Sequence, residues 1–308
     1  MIHFLNLIRW KNLIMIALVQ ILIKYALLLP FFESYGVVTT LSSLAFFLLV
    51  LATICIAAGG YVINDIYDVE ADKINKPNKV IINTHISEKI ALQLFIILNV
   101  IGVGIGFYLS NGIGKSGYFV IFFIASALLY IYSSYLKQML LVGNIVISLV
   151  VALCILLVGI FELLPVITDN NRIIQIFFFR IILDYSIFAF MINLIRELVK
   201  DIEDVDGDHK AGMQTLPIAL GRERTSKIVF VLSLIPLISV VYYVVTNLFK
   251  QQLLVGYFLV LVIAPLIYIS IKLFSAEHKS HYKHISLMLK LVMLTGMFSI
   301  FLYNYVLE

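Results

Sequence analysis

The stretch Asn64-Asp65-Ile66-Tyr67-Asp68-Val69-Glu70-Ala71-Asp72 closes one long apolar run, and Asp201-Ile202-Glu203-Asp204-Val205-Asp206-Gly207-Asp208 closes another. The triads Asp65, Asp68, Asp72 and Asp201, Asp204, Asp208 share the spacing i, i+3, i+7. In a helix turning by roughly 100° per residue, that spacing gathers three carboxylates within an arc of about 60° on one face. Six like charges brought to a membrane edge repel one another, so a cation is needed to hold them together.

Around these acids the chain is 62% hydrophobic and only 13% charged, with a mean hydropathy of +1.05. Soluble domains hold about 45–50% apolar and about 25% charged residues, so the composition is that of an integral membrane protein. Nine apolar runs, 13–31, 40–62, 90–109, 117–136, 140–163, 173–195, 226–246, 253–274 and 286–306, are each long enough to cross a hydrocarbon core of about 30 Å. Backbone in lipid must satisfy its own hydrogen bonds, and the short alternating strands of a barrel are missing. The expectation is an all-α polytopic protein with nine transmembrane helices around a central cavity. Residues 1–308 read as a single transmembrane domain, because no linker or soluble domain interrupts the array. The first run is too long for the core of a signal peptide and reads as a retained helix. Cys55 and Cys154 fall inside apolar runs and read as small buried hydrophobes, without zinc spacing.

Basic residues set the orientation. With the N-terminus inside, seventeen of the 22 Lys and Arg residues fall in inside segments, leaving Lys24, Lys115, Arg172, Arg180 and Lys250. The net charge of +4 is therefore mostly an orientation signal and calls for no nucleic-acid partner. Both triads then lie on the cytoplasmic side, in the cell membrane of a bacterium or archaeon. Four spans separate the triads, an even number, so both emerge on the same face. Equivalent positions lie 136 residues apart, as in a parallel pseudo-repeat rather than the inverted repeat of many transporters. The acids would sit in two long cytoplasmic loops, 64–89 and 196–225, with Gly207 and Gly212 opening the second.

The plain reading of the acids is a solvated loop beside Lys73, Lys76 and Lys210. That accounts for isolated acids, not for a doubled triad with Asn64 in front of one copy. Clustered carboxylates with an amide oxygen suit a hard cation, and Mg2+ is commonly held by one or two carboxylates plus substrate phosphate. Two such clusters facing a cavity would bridge a diphosphate and neutralise a leaving group.

The run Asn64-Asp65-x-x-Asp68-x-x-x-Asp72 with Asn75-Lys76-Pro77-Asn78-Lys79 resembles the first signature of the UbiA superfamily of intramembrane prenyltransferases. Asp201-x-x-Asp204-x-x-x-Asp208 with Ala211-Gly212-Met213-Gln214-Thr215-Leu216-Pro217 resembles its second. The resemblance covers nearly the whole chain in that family's order. It implies Mg2+ held by Asn64, Asp65, Asp68, Asp72, Asp201, Asp204 and Asp208, with Asp68, Asp72, Asp204 and Asp208 central to catalysis. It also implies an isoprenyl diphosphate donor whose allylic C1 loses diphosphate to give a carbocation-like species, captured by a hydrophobic or lipid acceptor. Such a species needs a stabilised leaving group and a water-poor cavity. Lys79 stands where many family members carry Arg, which keeps the charge and loses the bidentate geometry. Lys137, after Tyr132 and Tyr135, resembles a Tyr/Lys element near the donor, or else anchors the fourth helix. Asn144 faces the cavity or bonds another helix. Arg196 and Lys200 pair with the diphosphate or merely offset the acids.

Other features have plainer explanations. Gly102, Gly104 and Gly106 read as small-residue helix packing, since no strand precedes them. His278, His281 and His284, mixed with Lys279, Lys283 and Tyr282, read as head-group anchors rather than a metal site. His85 and His209 carry no role.

For the acceptor, Arg196–Asp204 and Asn75–Asn78 look most like the branch that prenylates geranylgeranylglyceryl phosphate, giving an ether lipid with a geranylgeranyl diphosphate donor. The phosphate of that acceptor would call for further cations, with Lys210, Arg222 and Arg224 as candidates. Aromatic quinone precursors and haem are alternatives within the superfamily. Outside it stand a cation-coupled transporter, disfavoured because the acids cluster at one face with none matching near mid-span or outside, and a CDP-alcohol phosphotransferase, disfavoured because that class gathers its acids in one motif.

Overall fold

The computed structural model describes residues 2–306; it is 85% helical, and no strand occurs among the described residues. Among the described residues nine helices are long and apolar enough to cross a membrane: α1 Trp10–Leu28, α2 Ser43–Tyr67, α3 Glu88–Gly112, α4 Ser116–Ser134, α5 Val142–Val166, α6 Arg172–Lys210, α7 Arg222–Leu248, α8 Gln252–Phe274 and α9 Lys279–Tyr305. Their number and order match the nine apolar runs. The ends differ most at α6, which runs on to Lys210, fifteen residues past the expected 195, and next at α9, which begins seven residues before the run expected from 286, with polar Lys279–His284 as its first turns. Ser42 and Ser87 cap α2 and α3 by accepting from the backbone N–H groups of Ala45 and Ile90.

α6 organises the packing. Its first half, through Phe178, Ile181, Ile182 and Ala189, joins a core shared with α1, α2, α4 and α5. Its second half, through Ile192, Ile195, Leu198, Val199 and Ile202, joins a core shared with α7, α8 and α9. Leu198, Val199 and Ile202 are fully buried. This apolar stripe explains why the expected loop from residue 196 is instead helix as far as Lys210. At about 1.5 Å per residue, the 39 residues of α6 span roughly 58 Å, nearly twice a bilayer core, so its acidic end projects beyond the apolar layer. The first triad is built differently. α2 runs through Tyr67, the chain bends at Asp68, and a short helix Val69–Asn75 carries Asp72.

Of the three glycines expected to serve helix packing, Gly102 and Gly106 do, whereas a Cβ at Gly104 would meet nothing within 4 Å. At Gly102 and Gly106 a Cβ would lie 2.6 Å from Ile56 Cγ1 and 2.4 Å from Phe122 Cδ2. The cysteines are free thiols, Cys55 buried and Cys154 half-buried. Tyr282 departs from the anchoring expectation. It is 1% exposed, and its hydroxyl donates to the Ala276 carbonyl at 2.9 Å, because its helical position faces the α7–α9 core.

Single acids also occur near mid-span and at the far side, where none matching the triads was expected. Asp184 stands exposed within α6, and Glu162 is fully buried at the far end of α5. Glu162 pairs with buried Lys24 at 2.7 Å and accepts the Leu41 N–H at 3.0 Å, so its charge serves to tie α1, α5 and the 36–42 connection together.

Candidate active site

The bend at Asp68 and the projecting end of α6 bring both triads to one cavity of about 820 Å3. The thirteen residues expected at the metal and donor sites all line it: Asn64, Asp65, Asp68, Asp72, Lys79, Tyr132, Lys137, Asn144, Arg196, Lys200, Asp201, Asp204 and Asp208. They come from α2, the connection after it, the end of α4, the start of α5 and the second half of α6.

The acids are held by donors. Lys137 pairs with Asp68, whose other oxygen accepts from Asn64 Nδ2 at 2.6 Å. Lys76 pairs with Asp204 at 2.5 Å. Asn144 Nδ2 donates to Asp201 at 2.8 Å, so it both faces the cavity and bonds a neighbouring helix. Arg9 donates to Asp65 at 2.8 Å, with its guanidinium 5.0 Å from the Tyr61 ring centroid.

Asn75 and Lys76 entered the sequence reading only as part of a signature and beside the acids, and Arg9 only as an orientation charge; none was given a role in the site. Arg9 adopts a left-handed backbone, φ 51°, at the entry to α1, an uncommon conformation for a residue with a side chain. Its place near the first apolar run was the only signal in the sequence. Asn75 ties the two triads together. Its Nδ2 donates to the Asp204 carbonyl at 2.7 Å and lies 3.4 Å from Asp208 Oδ1, while its Oδ1 accepts from the Gly207 N–H at 2.9 Å. Gly207 therefore does not open the backbone; it lets the short helix Val69–Asn75 dock. A Cβ there would lie 2.4 Å from Asn75 Nδ2 and 2.5 Å from the Ala71 carbonyl. Gly212, with φ +75°, is where the chain turns away.

Charge tuning follows from this crowding. Burial raises the Asp72 carboxyl to about 6, with Asp68 and Asp65 adding to the rise and Lys76 opposing it. Burial acts to lower the Lys76 ammonium, but Asp204 outweighs it and the pKa rises. For Arg9 too, burial is outweighed, here by Asp65.

The donor set fits a hard cation. It consists of carboxylate and amide oxygens, and Asp204 Oδ1 is buried without a hydrogen-bond partner among the described residues. No group of three acids, histidines or cysteines among those residues is close enough to hold a metal alone. Such a site is completed by phosphate oxygens, as Mg2+ sites often are. The cations expected beyond the acids, Lys210, Arg222 and Arg224, do not line the cavity. Arg222 pairs outward with Asp206 at 2.6 Å, because the turn at Gly212 carries the start of α7 away. Lys11, Lys290 and Glu197 line the cavity instead.

The UbiA prenyltransferase family profile matches residues 25–294, which takes in both triads and every spanning helix at least in part. The chain belongs to the UbiA prenyltransferase family. Among its relatives, the digeranylgeranylglyceryl phosphate synthase of Methanosphaera stadtmanae is 31% identical over 239 residues, 75% of this chain and 78% of that protein. The enzyme of the same name from Sulfolobus acidocaldarius is 36% identical over 195 residues, 63% of this chain and 64% of that protein, so the match spans just under two thirds of its length. The same fold occurs in the apo UbiA homolog from Aeropyrum pernix K1, with a TM-score of 0.69 and 12% identity over 94% of this chain and 97% of that one. It occurs also in a UbiA homolog from Archaeoglobus fulgidus bound to DMAPP and Mg2+, with a TM-score of 0.54 and 17% identity over 97% and 98% of the two chains.

Proposed function

We propose that this UbiA chain is an Mg2+-dependent prenyltransferase that moves a geranylgeranyl group from its diphosphate to geranylgeranylglyceryl phosphate, forming an ether lipid. The observation that carries this reading is the convergence of both aspartate triads, with Lys76, Lys79 and Lys137, on one cavity at the edge of the apolar layer. The names of the archaeal relatives favour this acceptor, and the Archaeoglobus homolog was solved with Mg2+ and a prenyl diphosphate. The basic-residue bias supports a cavity mouth and an N-terminus on the cytoplasmic side of a prokaryotic membrane.

Asp68, Asp72, Asp204 and Asp208 would hold Mg2+, supported by Asn64, Asp65 and Asp201. When bound, Mg2+ supplies Lewis-acid neutralisation of the departing diphosphate. Lys79 and Lys137 add positive charge at the leaving group, and Lys76 is free to turn from Asp204 to phosphate once the acid has a metal to hold. Tyr132 and Asn144 shape the wall, with Asn144 orienting Asp201. The apolar wall below, including Ile16, Leu129, Ile147, Val150 and Val151, keeps water from the reacting carbon.

The test is product analysis by mass spectrometry, using purified protein and geranylgeranyl diphosphate with and without Mg2+. Geranylgeranylglyceryl phosphate and a panel of aromatic acceptors are supplied separately. An Mg2+-dependent ether lipid supports the reading. Product from an aromatic acceptor alone replaces the acceptor, and ion flux in liposomes without diphosphate release replaces the class.

A further inference from the structure

The charges on the cavity wall are not evenly matched. Asp65, Asp68 and Asp204 each have a basic partner, in Arg9, Lys137 and Lys76. Arg196 and Lys200 instead share one carboxylate, Glu197, at 3.1 and 2.7 Å. The Lys290 ammonium donates to a neutral oxygen, Asn12 Oδ1, at 2.6 Å. Lys290 lies within the field of Arg196 and Lys11, and Lys200 within that of Arg196 and Arg9. Within ion-pair distance these three half-buried cations have one carboxylate among them, with Asp201, bonded to Asn144, the next acid in the field of Lys200; such an arrangement is costly without an anion. The Arg196 Nε is moreover buried without a hydrogen-bond partner among the described residues.

Depth identifies the anion. The apolar run of α6 ends at Ile195, so Arg196 is the first charged residue at the edge of the apolar layer, where phospholipid head groups lie. Asp204 and Asp208 stand about 6 and 12 Å further along the helix axis than Lys200, and about 12 and 18 Å further than Arg196. Both substrates have chains in the bilayer; the diphosphate suits the aspartate level, where a metal can bridge it, and a single phosphate suits the cationic level. A phosphate monoester carries about −1.5 to −2 charges near pH 7, close to the surplus of two positive charges left when Glu197 is counted against Arg196, Lys200 and Lys290.

We propose that Arg196, Lys200 and Lys290 form a binding site for the phosphate monoester of the lipid acceptor, separate from the site for the donor diphosphate. The assignment rests on the prenyltransferase reading above and moves Arg196 and Lys200 from the donor to the acceptor. Held there, the acceptor directs its glyceryl hydroxyl toward the aspartate level, where the donor C1 is exposed.

The experiment compares the full-length protein with its Lys200→Met, Lys290→Met and Lys290→Arg variants. Both KM values are measured, and so is the thermal midpoint with geranylgeranylglyceryl phosphate alone. Loss of one charge-assisted hydrogen bond predicts an acceptor KM raised roughly tenfold or more in both Met variants. The donor KM stays within about twofold, Lys290→Arg restores the acceptor KM, and the phosphate-free alcohol geranylgeranylglycerol is used alike by all four proteins. A raised donor KM with an unchanged acceptor KM overturns the proposal. The thermal midpoint separates this inference from the reading it rests on. Acceptor that stabilises the wild type and not the Met variants supports the site even when no product forms, and equal stabilisation of all proteins overturns it. Phosphatidylglycerol, a phosphodiester, is the control for a resident lipid; if it reproduces the full effect through the same residues, the monoester assignment falls.

Discussion

The side-chain amide of Asn75 bridges to the backbone of Gly207, accepting its N–H at 2.9 Å while donating to the Asp204 carbonyl at 2.7 Å. Through this one residue the helix carrying Asp72 is fixed against the helix carrying Asp204 and Asp208. The glycine is what allows the approach. Gly207→Ala places a methyl group 2.5 Å from the Ala71 carbonyl, so the short helix must shift. We expect a loss of about 1–3 kcal/mol of stability, typical of overpacking, and a fall in turnover of at least about tenfold. Circular dichroism should show the helical content unchanged. Wild-type turnover in this variant would show that the two triads need no fixed spacing.

Asp68→Asn and Asp204→Asn are expected to abolish turnover while the protein remains folded in the membrane. Each substitution keeps the side-chain shape and removes a charge that offsets Lys137 or Lys76 and that we propose holds metal. Mass spectrometry of the product and size-exclusion chromatography check the two halves of this prediction. Retained activity in either variant would break the metal assignment.

The half-buried Asp72 carboxyl, raised to about 6, gives a pH dependence with a defined sign. A carboxyl raised above its unfolded value favours the folded state at low pH, and that contribution is lost as the pH rises through about 6. Metal binding runs the other way, because the ligand must be ionised. Mg2+ is therefore expected to raise the thermal midpoint more at pH 7.5 than at pH 5.5, and Asp72→Asn to flatten the difference. An equal Mg2+ effect at both pH values in the wild type would remove Asp72 from the metal site.

At the opposite end of the protein, Lys24 and Glu162 are 2% and 0% exposed and pair at 2.7 Å. Removing one partner leaves a buried charge uncompensated, and Glu162→Gln or Lys24→Met is expected to cost about 3–5 kcal/mol. Replacing both with apolar residues should cost much less than the sum of the two. A thermal-denaturation cycle checks this, and additive losses would mean that the pair is not coupled.

Hydropathy alone located all nine helices, since backbone in lipid has few alternatives to a helix of sufficient length. The triads were legible because their spacing is a helical period, and the structure sets both on one cavity. What escaped the sequence depended on tertiary contact. The stretch from Arg196 to Lys210 reads as a polar loop until Leu198, Val199 and Ile202 are seen buried against α7–α9. Gly207 reads as a break in the chain, yet it sits within a helix because another helix leans on it. Arg9 looks like one more orientation charge, and only its left-handed backbone and its contact with Asp65 set it apart. Lys24 and Glu162, 138 residues apart, carry no local pattern that could pair them.

The most direct test of the account is an anomalous-diffraction map of the protein crystallised with Mn2+ in place of Mg2+ and a non-hydrolysable thiodiphosphate analogue of the donor. The account predicts metal peaks between the Asp68–Asp72 and Asp204–Asp208 carboxylates, with the diphosphate bridging them. A diphosphate seated elsewhere, or metal absent from the cavity with the analogue bound, would contradict it.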